Sequence, residues 1–175
     1  MNLNILRKIN RFDNYILFIM TKYMQNKYLD RVMPIATKMG NLGAVWVMMA
    51  LVLVLDKPYR MIGELVMLTL IISTIVGEGI VKHIVARIRP CNQQNSLNLL
   101  IPKPMSYSFP SGHTLSSFAV AKVLSMYFIE YKLIFMAIAS LIALSRIYLY
   151  VHYPTDVIAG GILGILCSKL IFILS

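Results

Sequence analysis

The chain has 175 residues, of which 58% are apolar, and its mean hydropathy of +0.72 is far above that of an ordinary soluble domain. This composition excludes a typical soluble globular protein and indicates a chain embedded in a membrane. A formal net charge of +10 would suit a nucleic-acid partner, but a chain with several membrane crossings has no free basic face for a duplex. We therefore expect membrane lipids, especially anionic ones, as partners, and no nucleic acid.

The amino-terminal segment, residues 1–30, has only short apolar runs and no small-residue cleavage site, so it is not predicted to be a cleaved signal peptide. Cations interrupt its apolar residues, which favours an amphipathic helix lying in the membrane interface. The alternative is a crossing through residues 14–39. That crossing would place several ionised groups at a costly depth in the bilayer, namely Lys22, Lys27, Asp30 and Arg31.

Five later stretches are apolar and long enough to cross a hydrocarbon core of about 30 Å, which takes roughly 20 helical residues. They are residues 41–56, 61–81, 112–129, 133–150 and 155–174. The predicted fold is all-α: an integral membrane helical bundle of about five transmembrane helices plus the amino-terminal interfacial amphipathic helix, in a single domain over residues 1–175. Gly160 and Gly164 form a small-xxx-small pair that would let another helix pack closely against the last crossing.

The parity of the crossings predicts where the polar residues gather. If each stretch crosses once, residues 82–113 and residues 145–156 emerge on the same side. The first of these segments is long, polar and rich in proline, which is typical of loops that carry function. The polar and charged side chains expected on this face are Lys82, Arg87, Arg89, Lys103, Ser111, His113, Arg146, His152 and Asp156.

Two cations close the second crossing. Lys82 and Arg89 lie seven residues apart, which is two helical turns, so they are predicted to share one helix face just before Pro90. Taken alone, both would suit a helix carboxyl end, whose dipole favours cations that reach toward the lipid head groups. Together with Arg146 on the same side, they indicate a clamp for a multiply charged anion.

The sequence FPSGHT begins the third crossing, with Pro110 and Ser111 opening its helix. The free N–H groups of the first turn, the Ser111 hydroxyl and the close approach that Gly112 permits would make a site for phosphate oxygens. His113 follows where it can donate a proton. The alternative is a serine that only caps the helix beside an incidental interfacial histidine.

A histidine–aspartate pair precedes the last crossing. Asp156 lies four residues after His152, across Pro154, which can open the last helix. The carboxylate can then reach the imidazole and fix the tautomer that leaves the other ring nitrogen free. Such a pair is typical of an oriented nucleophile or general base. The alternative is a purely structural contact that ties the loop to the start of the helix.

These three stretches occur in a recognisable order. They read Lys82-x6-Arg89-Pro90, then Pro110-Ser111-Gly112-His113, then Ser145-Arg146-x5-His152-x3-Asp156. The ordered set resembles the three-part signature of the type 2 phosphatidic acid phosphatase superfamily, which also includes the vanadium haloperoxidases. The resemblance extends over the signature and the helical layout from about residue 28 to the end of the chain.

The resemblance implies a role for each signature residue within one membrane-embedded phosphatase domain. His152 would attack phosphorus to form a phosphohistidine, Asp156 would orient His152, and His113 would protonate the leaving oxygen. The residues that would hold the phosphoryl group are Lys82, Arg89, Ser111, Gly112 and Arg146. Because the chain has only seven acidic residues, too few to suggest a carboxylate-held ion, we expect no catalytic metal and no cofactor.

The small size and the loop before His113 look most like bacterial members that convert undecaprenyl diphosphate to undecaprenyl phosphate. Phosphatidylglycerophosphate and phosphatidic acid are the alternative substrates. A haloperoxidase is disfavoured because those enzymes are soluble, and a non-catalytic lipid-binding membrane protein would not explain why two histidines and three cations share one face. The resemblance implies a bacterial cell membrane and an active site facing away from the cytoplasm, whereas the distribution of lysine and arginine favours the opposite orientation.

Overall fold

A computed structural model describes residues 3–93 and 99–174, and the regular structure within these ranges is helical, which confirms the predicted all-α class. The helices are α1 (Leu3–Ile19), α2 (Lys27–Gly40), α3 (Ala44–Leu55), α4 (Arg60–Thr74), α5 (Lys82–Val85), α6 (Gly112–Tyr127), α7 (Lys132–Tyr148) and α8 (Pro154–Leu174). Short π-helical segments cover Met20–Met24 and Ile75–Val81, and 3-10 turns cover Asn41–Gly43, Lys57–Tyr59, Pro90–Asn92 and Ile129–Tyr131. Residues 94–98 of the long loop that the sequence singles out lie outside the described residues.

Four helical stretches in the described part of the chain are long and apolar enough to cross a membrane. They are Lys27–Leu55, Lys57–Val85, Ile129–Tyr148 and Pro154–Ile173. The remaining predicted crossing, the third at residues 112–129, corresponds to α6, which has only 16 residues and is shorter than the roughly 20 that a full crossing takes. The count of five crossings therefore stays a prediction.

Helix α6 forms the centre of the bundle, where it packs against α2, α4, α7 and α8. Most of its residues are buried, so protein rather than lipid surrounds it and polar side chains are tolerated along it. One of these, Ser117, accepts a buried hydrogen bond of 3.0 Å from the indole of Trp46. The predicted small-residue contact is confirmed here, because a Cβ at Gly160 would lie 2.7 Å from the Ser111 carbonyl and one at Gly164 would collide with that of Leu115.

The first membrane-length stretch is a bent pair of helices, α2 and α3. It begins at Lys27 rather than at residue 41, where the sequence predicts the first crossing. The bend falls at Leu42 and Gly43, whose φ angles are 51° and 68°. Helix α2 carries charged residues on one side and buries the other in the bundle, so hydropathy alone does not reveal its continuity with α3.

The amino-terminal helix α1 packs one face on the bundle and leaves the other exposed. The buried face includes Asp13 and Leu17, and α1 contacts α8. Three cations lie on the exposed face: Arg7, Lys8 and Arg11. The interfacial amphipathic helix stays a prediction, because the exposed side of α1 also carries large apolar side chains, among them Phe12 and Tyr15.

Candidate active site

A cavity of about 370 Å³ brings most of the signature residues together. Six of the eight predicted site residues line it, namely Lys82, Arg89, Gly112, His113, Arg146 and His152. They come from α5 and the loop after it, from the first turn of α6, from the end of α7 and from the turn before α8. The other two, Ser111 and Asp156, are fully buried. They are not among the described residues that line the cavity, but they lie next to residues that do.

The chain leaves the helix between Lys82 and Arg89, so the prediction that these two residues share one helical face is wrong. Helix α5 ends at Val85, Ala86 adopts a left-handed conformation with φ 47°, and Arg89 is extended with φ −71° and ψ 151°. A left-handed conformation costs a residue with a Cβ about 1–2 kcal/mol. Tertiary contacts of the following residues must offset this cost. Lys82 reaches the cavity from α5, and Arg89 reaches it from the loop that follows.

The guanidinium of Arg89 is held by backbone and side-chain acceptors from two loops. Its Nε donates to the Ser106 carbonyl at 2.7 Å and its Nη2 to the Ser106 hydroxyl at 3.1 Å. Its Nη1 donates to the Val151 carbonyl at 2.8 Å and contacts His152 Nε2 at 3.0 Å. These bonds fix the guanidinium with one N–H directed at the imidazole of His152.

The contact with Arg89 determines the tautomer of His152. Because a guanidinium only donates hydrogen bonds, Nε2 of His152 must accept, and the proton of the neutral ring is on Nδ1. Burial lowers the pKa of His152 to about 3, and the nearby charges of Arg89 and Arg146 act in the same direction. The imidazole is therefore neutral at neutral pH, with an unprotonated nitrogen at the cavity that can act as a nucleophile.

Asp156 lies next to His152 without a direct hydrogen bond to it. Its Oδ2 is 3.7 Å from His152 Nδ1, which is too long for a hydrogen bond. The same oxygen accepts from the Ser108 hydroxyl at 2.5 Å and from the Tyr153 N–H at 3.0 Å, and Oδ1 accepts from Arg87 at 2.7 Å. The Ser108 hydroxyl is also 3.5 Å from Nδ1, so the carboxylate and this hydroxyl together face the protonated side of the ring.

Asp156 also stabilises the start of α8. The helix begins at Pro154, as predicted, and Asp156 is its third residue, so its bond from the Tyr153 N–H is the carboxylate half of a capping box. At the N-cap of α6, the Ser111 N–H donates to the Asp156 carbonyl at 3.1 Å and the Ser111 hydroxyl accepts from Thr114 at 2.9 Å. Ser111 thus joins the start of α6 to the start of α8.

His113 faces the cavity from the first turn of α6 and contacts the bend between α2 and α3. Its Nε2 donates to the Asn41 carbonyl oxygen, Oδ1, at 2.8 Å, because an amide oxygen only accepts. The ring packs tightly on α2, where a Cβ at Gly40 would lie 2.8 Å from its Cδ2. The bend therefore holds the imidazole through both a hydrogen bond and close packing.

Positive charge dominates the cavity. Lys82, Arg89 and Arg146 are all buried, and the one carboxylate in the described lining is that of Glu78, which accepts from Lys82 Nζ at 2.5 Å. Arg146 donates through Nη1 to the Thr37 hydroxyl. A pocket with three cations and one carboxylate suits an anion that carries more than one negative charge.

The comparisons with known proteins identify the family. The sequence model of the PAP2 superfamily matches residues 63–175. The chain belongs to the PAP2 superfamily. It is 37% identical over 152 residues to an undecaprenyl-diphosphatase of Sulfolobus acidocaldarius, a match that covers 86% of this chain and 73% of that protein.

Two further matches agree with this assignment. The crystal structure of Aquifex aeolicus LpxE superposes with a TM-score of 0.79 at 26% identity, covering 91% of this chain and 94% of that one. Phosphatidylglycerophosphatase B of Bacillus subtilis is 35% identical over 77 residues, covering 38% of each chain. This PAP2 protein is a membrane phosphatase, a hydrolase, which overturns the alternative of a non-catalytic lipid-binding protein.

The structure adds polar residues around the PAP2 signature that the sequence interpretation missed. They are Asp13, Thr37, Asn41, Ser106 and Ser108. The sequence carried a signal for two of them. Asn41 lies between Gly40 and Gly43, which marks a break in a helix, and Asp13 is the one acidic residue of α1, which is otherwise basic.

Proposed function

We propose that this PAP2 phosphatase hydrolyses undecaprenyl diphosphate to undecaprenyl phosphate through a phosphohistidine on His152, without a metal ion. The observation that carries the proposal is the contact of His152 Nε2 with the Arg89 guanidinium, which leaves that nitrogen unprotonated, in a cavity lined by Lys82, Arg89 and Arg146. The similarity to an undecaprenyl-diphosphatase over 73% of that protein's length supports the choice of substrate.

Binding of the terminal phosphoryl group uses the cations and the start of α6. Lys82, Arg89 and Arg146 neutralise its oxygens, and the N–H groups at the amino end of α6 beside Gly112 complete the site. Ser111 supports this arrangement, because its bonds to Asp156 and Thr114 hold the first turn of α6 in place. When substrate binds, the Arg89 N–H that contacts His152 Nε2 donates to a phosphoryl oxygen instead. The lone pair of Nε2 is then free to attack phosphorus.

The reaction proceeds in two displacements. In the first, Nε2 of His152 forms a bond to phosphorus while the bond from phosphorus to the leaving phosphate oxygen breaks, and protonated His113 donates its proton to that oxygen. In the second, a water molecule attacks phosphorus, neutral His113 accepts its proton, and the phosphorus–nitrogen bond breaks. Inorganic phosphate leaves and His152 is regenerated. Asp156 and Ser108 face the Nδ1 proton of His152 throughout and stabilise the charge that develops on the ring.

Activity is expected to survive treatment with EDTA and to be blocked by orthovanadate. Three side-chain cations supply the charge that a metal would otherwise provide, and in the described part of the chain no group of three or more His, Cys, Asp and Glu could hold a metal ion. Five-coordinate vanadate bound to His152 Nε2 would resemble the transferring phosphoryl group. The measurement is hydrolysis of a lipid phosphate by purified protein with EDTA, with vanadate, and with neither. Loss of turnover in EDTA that a divalent ion restores would contradict the metal-independent mechanism.

A glycerophospholipid phosphate is the second candidate substrate. The match to phosphatidylglycerophosphatase B favours it, although that match covers only 38% of either chain. The decisive experiment compares kcat/KM of the purified protein for undecaprenyl diphosphate, phosphatidylglycerophosphate and phosphatidic acid in the same detergent micelles. We expect the highest kcat/KM for undecaprenyl diphosphate. A higher kcat/KM for either glycerophospholipid would contradict this choice and identify that lipid as the preferred substrate.

We further propose that the protein lies in a bacterial cell membrane with the cavity facing away from the cytoplasm. The loop beside the cavity offers a reporter position, because Met105 is fully exposed and both native cysteines are buried. In intact cells, Met105→Cys is expected to react with a maleimide that cannot cross the membrane. Reaction that requires permeabilised cells would place the cavity on the cytoplasmic side.

A further inference from the structure

A buried carboxylate on α1 is bonded to the start of α8. Asp13 is fully buried, and its Oδ1 accepts from the Thr155 N–H at 3.0 Å. Its Oδ2 accepts from the Thr155 hydroxyl at 2.7 Å and from Arg87 Nη2 at 2.7 Å. Since the first N–H groups of a helix have no partner within it, Asp13 satisfies a free donor of α8 from another helix.

Arg87 joins this carboxylate to the one beside the nucleophile. Its Nη2 binds Asp13, and its Nη1 binds Asp156 Oδ1 at 2.7 Å and the Thr155 hydroxyl at 2.8 Å. The guanidinium also lies over the ring of Tyr153, 3.9 Å from its centre. The side chain is therefore held on three sides, in the planar, forked geometry that arginine alone provides.

The bonds form a continuous path from α1 to the imidazole. Arg87 holds Oδ1 of Asp156, while Ser108 and the Tyr153 N–H hold Oδ2, so the carboxylate plane has a single orientation. That plane puts Oδ2 and the Ser108 hydroxyl beside Nδ1 of His152. If Arg87 loses Asp13, one of its two carboxylate partners is gone, and the guanidinium can turn and carry Oδ1 of Asp156 with it.

From this path we infer that Asp13 is a positioning residue for the phosphoryl transfer proposed above, acting through Arg87 on Asp156. The inference rests on the proposed role of His152. It gives α1, which precedes the region matched by the PAP2 sequence model, a part in assembling the active site. Neither the phosphate-binding cations nor the cavity lining includes Asp13, so its contribution is to the rate of the chemical step and not to binding.

The test is Asp13→Asn, which keeps the shape of the side chain and removes its charge. The rate of phosphoenzyme formation in a single turnover is expected to fall about 10- to 100-fold, by analogy with the loss when a residue that orients a metal-binding side chain is changed. KM for the lipid and the affinity for vanadate should stay at the wild-type values, because Lys82, Arg89 and Arg146 are untouched. A purely structural role would lower the amount of folded protein or its Tm and leave the rate per folded molecule unchanged.

The matched control is Asp30→Asn. Asp30 also joins two helices through its carboxylate, accepting from the Tyr148 hydroxyl at 2.6 Å, but this bond does not lead to His152. The variant should form the phosphoenzyme at the wild-type rate. If the rate of phosphoenzyme formation fell as much in Asp30→Asn as in Asp13→Asn, loss of any carboxylate that joins two helices would slow the reaction. That result would overturn the inference.

A double-mutant cycle with Arg87→Lys distinguishes action through Arg87 from an independent effect. Lysine keeps the charge but cannot bridge two carboxylates. The double variant should be no slower than Arg87→Lys alone, whereas multiplied losses would mean that Asp13 acts by another route.

If Asp13→Asn fails to fold, a normal rate in Arg87→Lys still overturns the inference. Absence of phosphoenzyme in the wild-type protein would instead contradict the proposed function itself.

Discussion

Phosphoenzyme formation and turnover are both expected to disappear in His152→Ala, with a loss on the order of 10⁶-fold, as when the nucleophile of a covalent hydrolase is removed. The reason is geometric. His152 carries the unprotonated ring nitrogen fixed at the cavity, whereas Nε2 of His113 is protonated and bonded to Asn41. The measurement is rapid-quench labelling with a ³²P-labelled lipid phosphate, followed by detection of acid-labile, alkali-stable phosphate on the protein.

His83→Ala is the matched control for this experiment. His83 is exposed, makes an edge-on contact with the Tyr107 ring and is not among the residues that line the cavity. Its variant should label and turn over like the wild-type protein. A phosphoenzyme trapped in His152→Ala would assign the nucleophile to another residue and contradict the proposed mechanism.

The loss in His113→Ala is expected to depend on the leaving group. With a lipid phosphate or diphosphate, whose leaving oxygen needs a proton, the variant should lose about 10²–10⁴-fold in rate, the usual contribution of a general acid. With nitrophenyl phosphate, whose leaving group departs without protonation, the first displacement should lose much less. The measurement is the single-turnover rate of phosphoenzyme formation for each substrate in wild-type protein, His113→Ala and His83→Ala.

The comparison of the two substrates separates an acid from a binding residue. If His113 only held the phosphoryl group, its removal would slow both substrates equally, because both present the same phosphoryl oxygens. Equal losses would therefore contradict the role of acid. Asp156→Asn provides an internal reference: since it leaves both histidines in place, its loss should lie between that of Asp13→Asn and that of His152→Ala on either substrate.

Much of this protein follows from local patterns in the chain. Membrane-length apolar runs predict the helices, and the breaker Pro154 predicts the start of α8. The motif Pro110-Ser111-Gly112-His113 predicts a helix start without tertiary information. A helix amino terminus always presents free N–H groups, so a site for an anion can be predicted from the motif as well. The spacing of four between His152 and Asp156 likewise ensures that they are near one another once α8 begins.

The departures arise where distant segments compete with local preference. Nothing in the residues between Lys82 and Pro90 stops a helix, yet the chain leaves it at Ala86. The hydrogen bonds that Arg87 and Arg89 make with α1 and with the loops after them exist only in the folded bundle. The spacing of apolar residues reflects only the helix preference of residues close together in the chain. It carries no information about hydrogen bonds to distant segments.

The sequence by itself determined the helical class, the membrane setting and the signature residues, because each depends on residues a few positions apart. Only the tertiary structure decided how these residues are oriented. It placed Arg89 against Nε2 of His152, Asn41 against His113 and, through Arg87, Asp13 against Asp156. The partners in these contacts lie more than sixty positions apart in the chain, where a single polar side chain has no local pattern to reveal its partner, and packing of the helices brings them together.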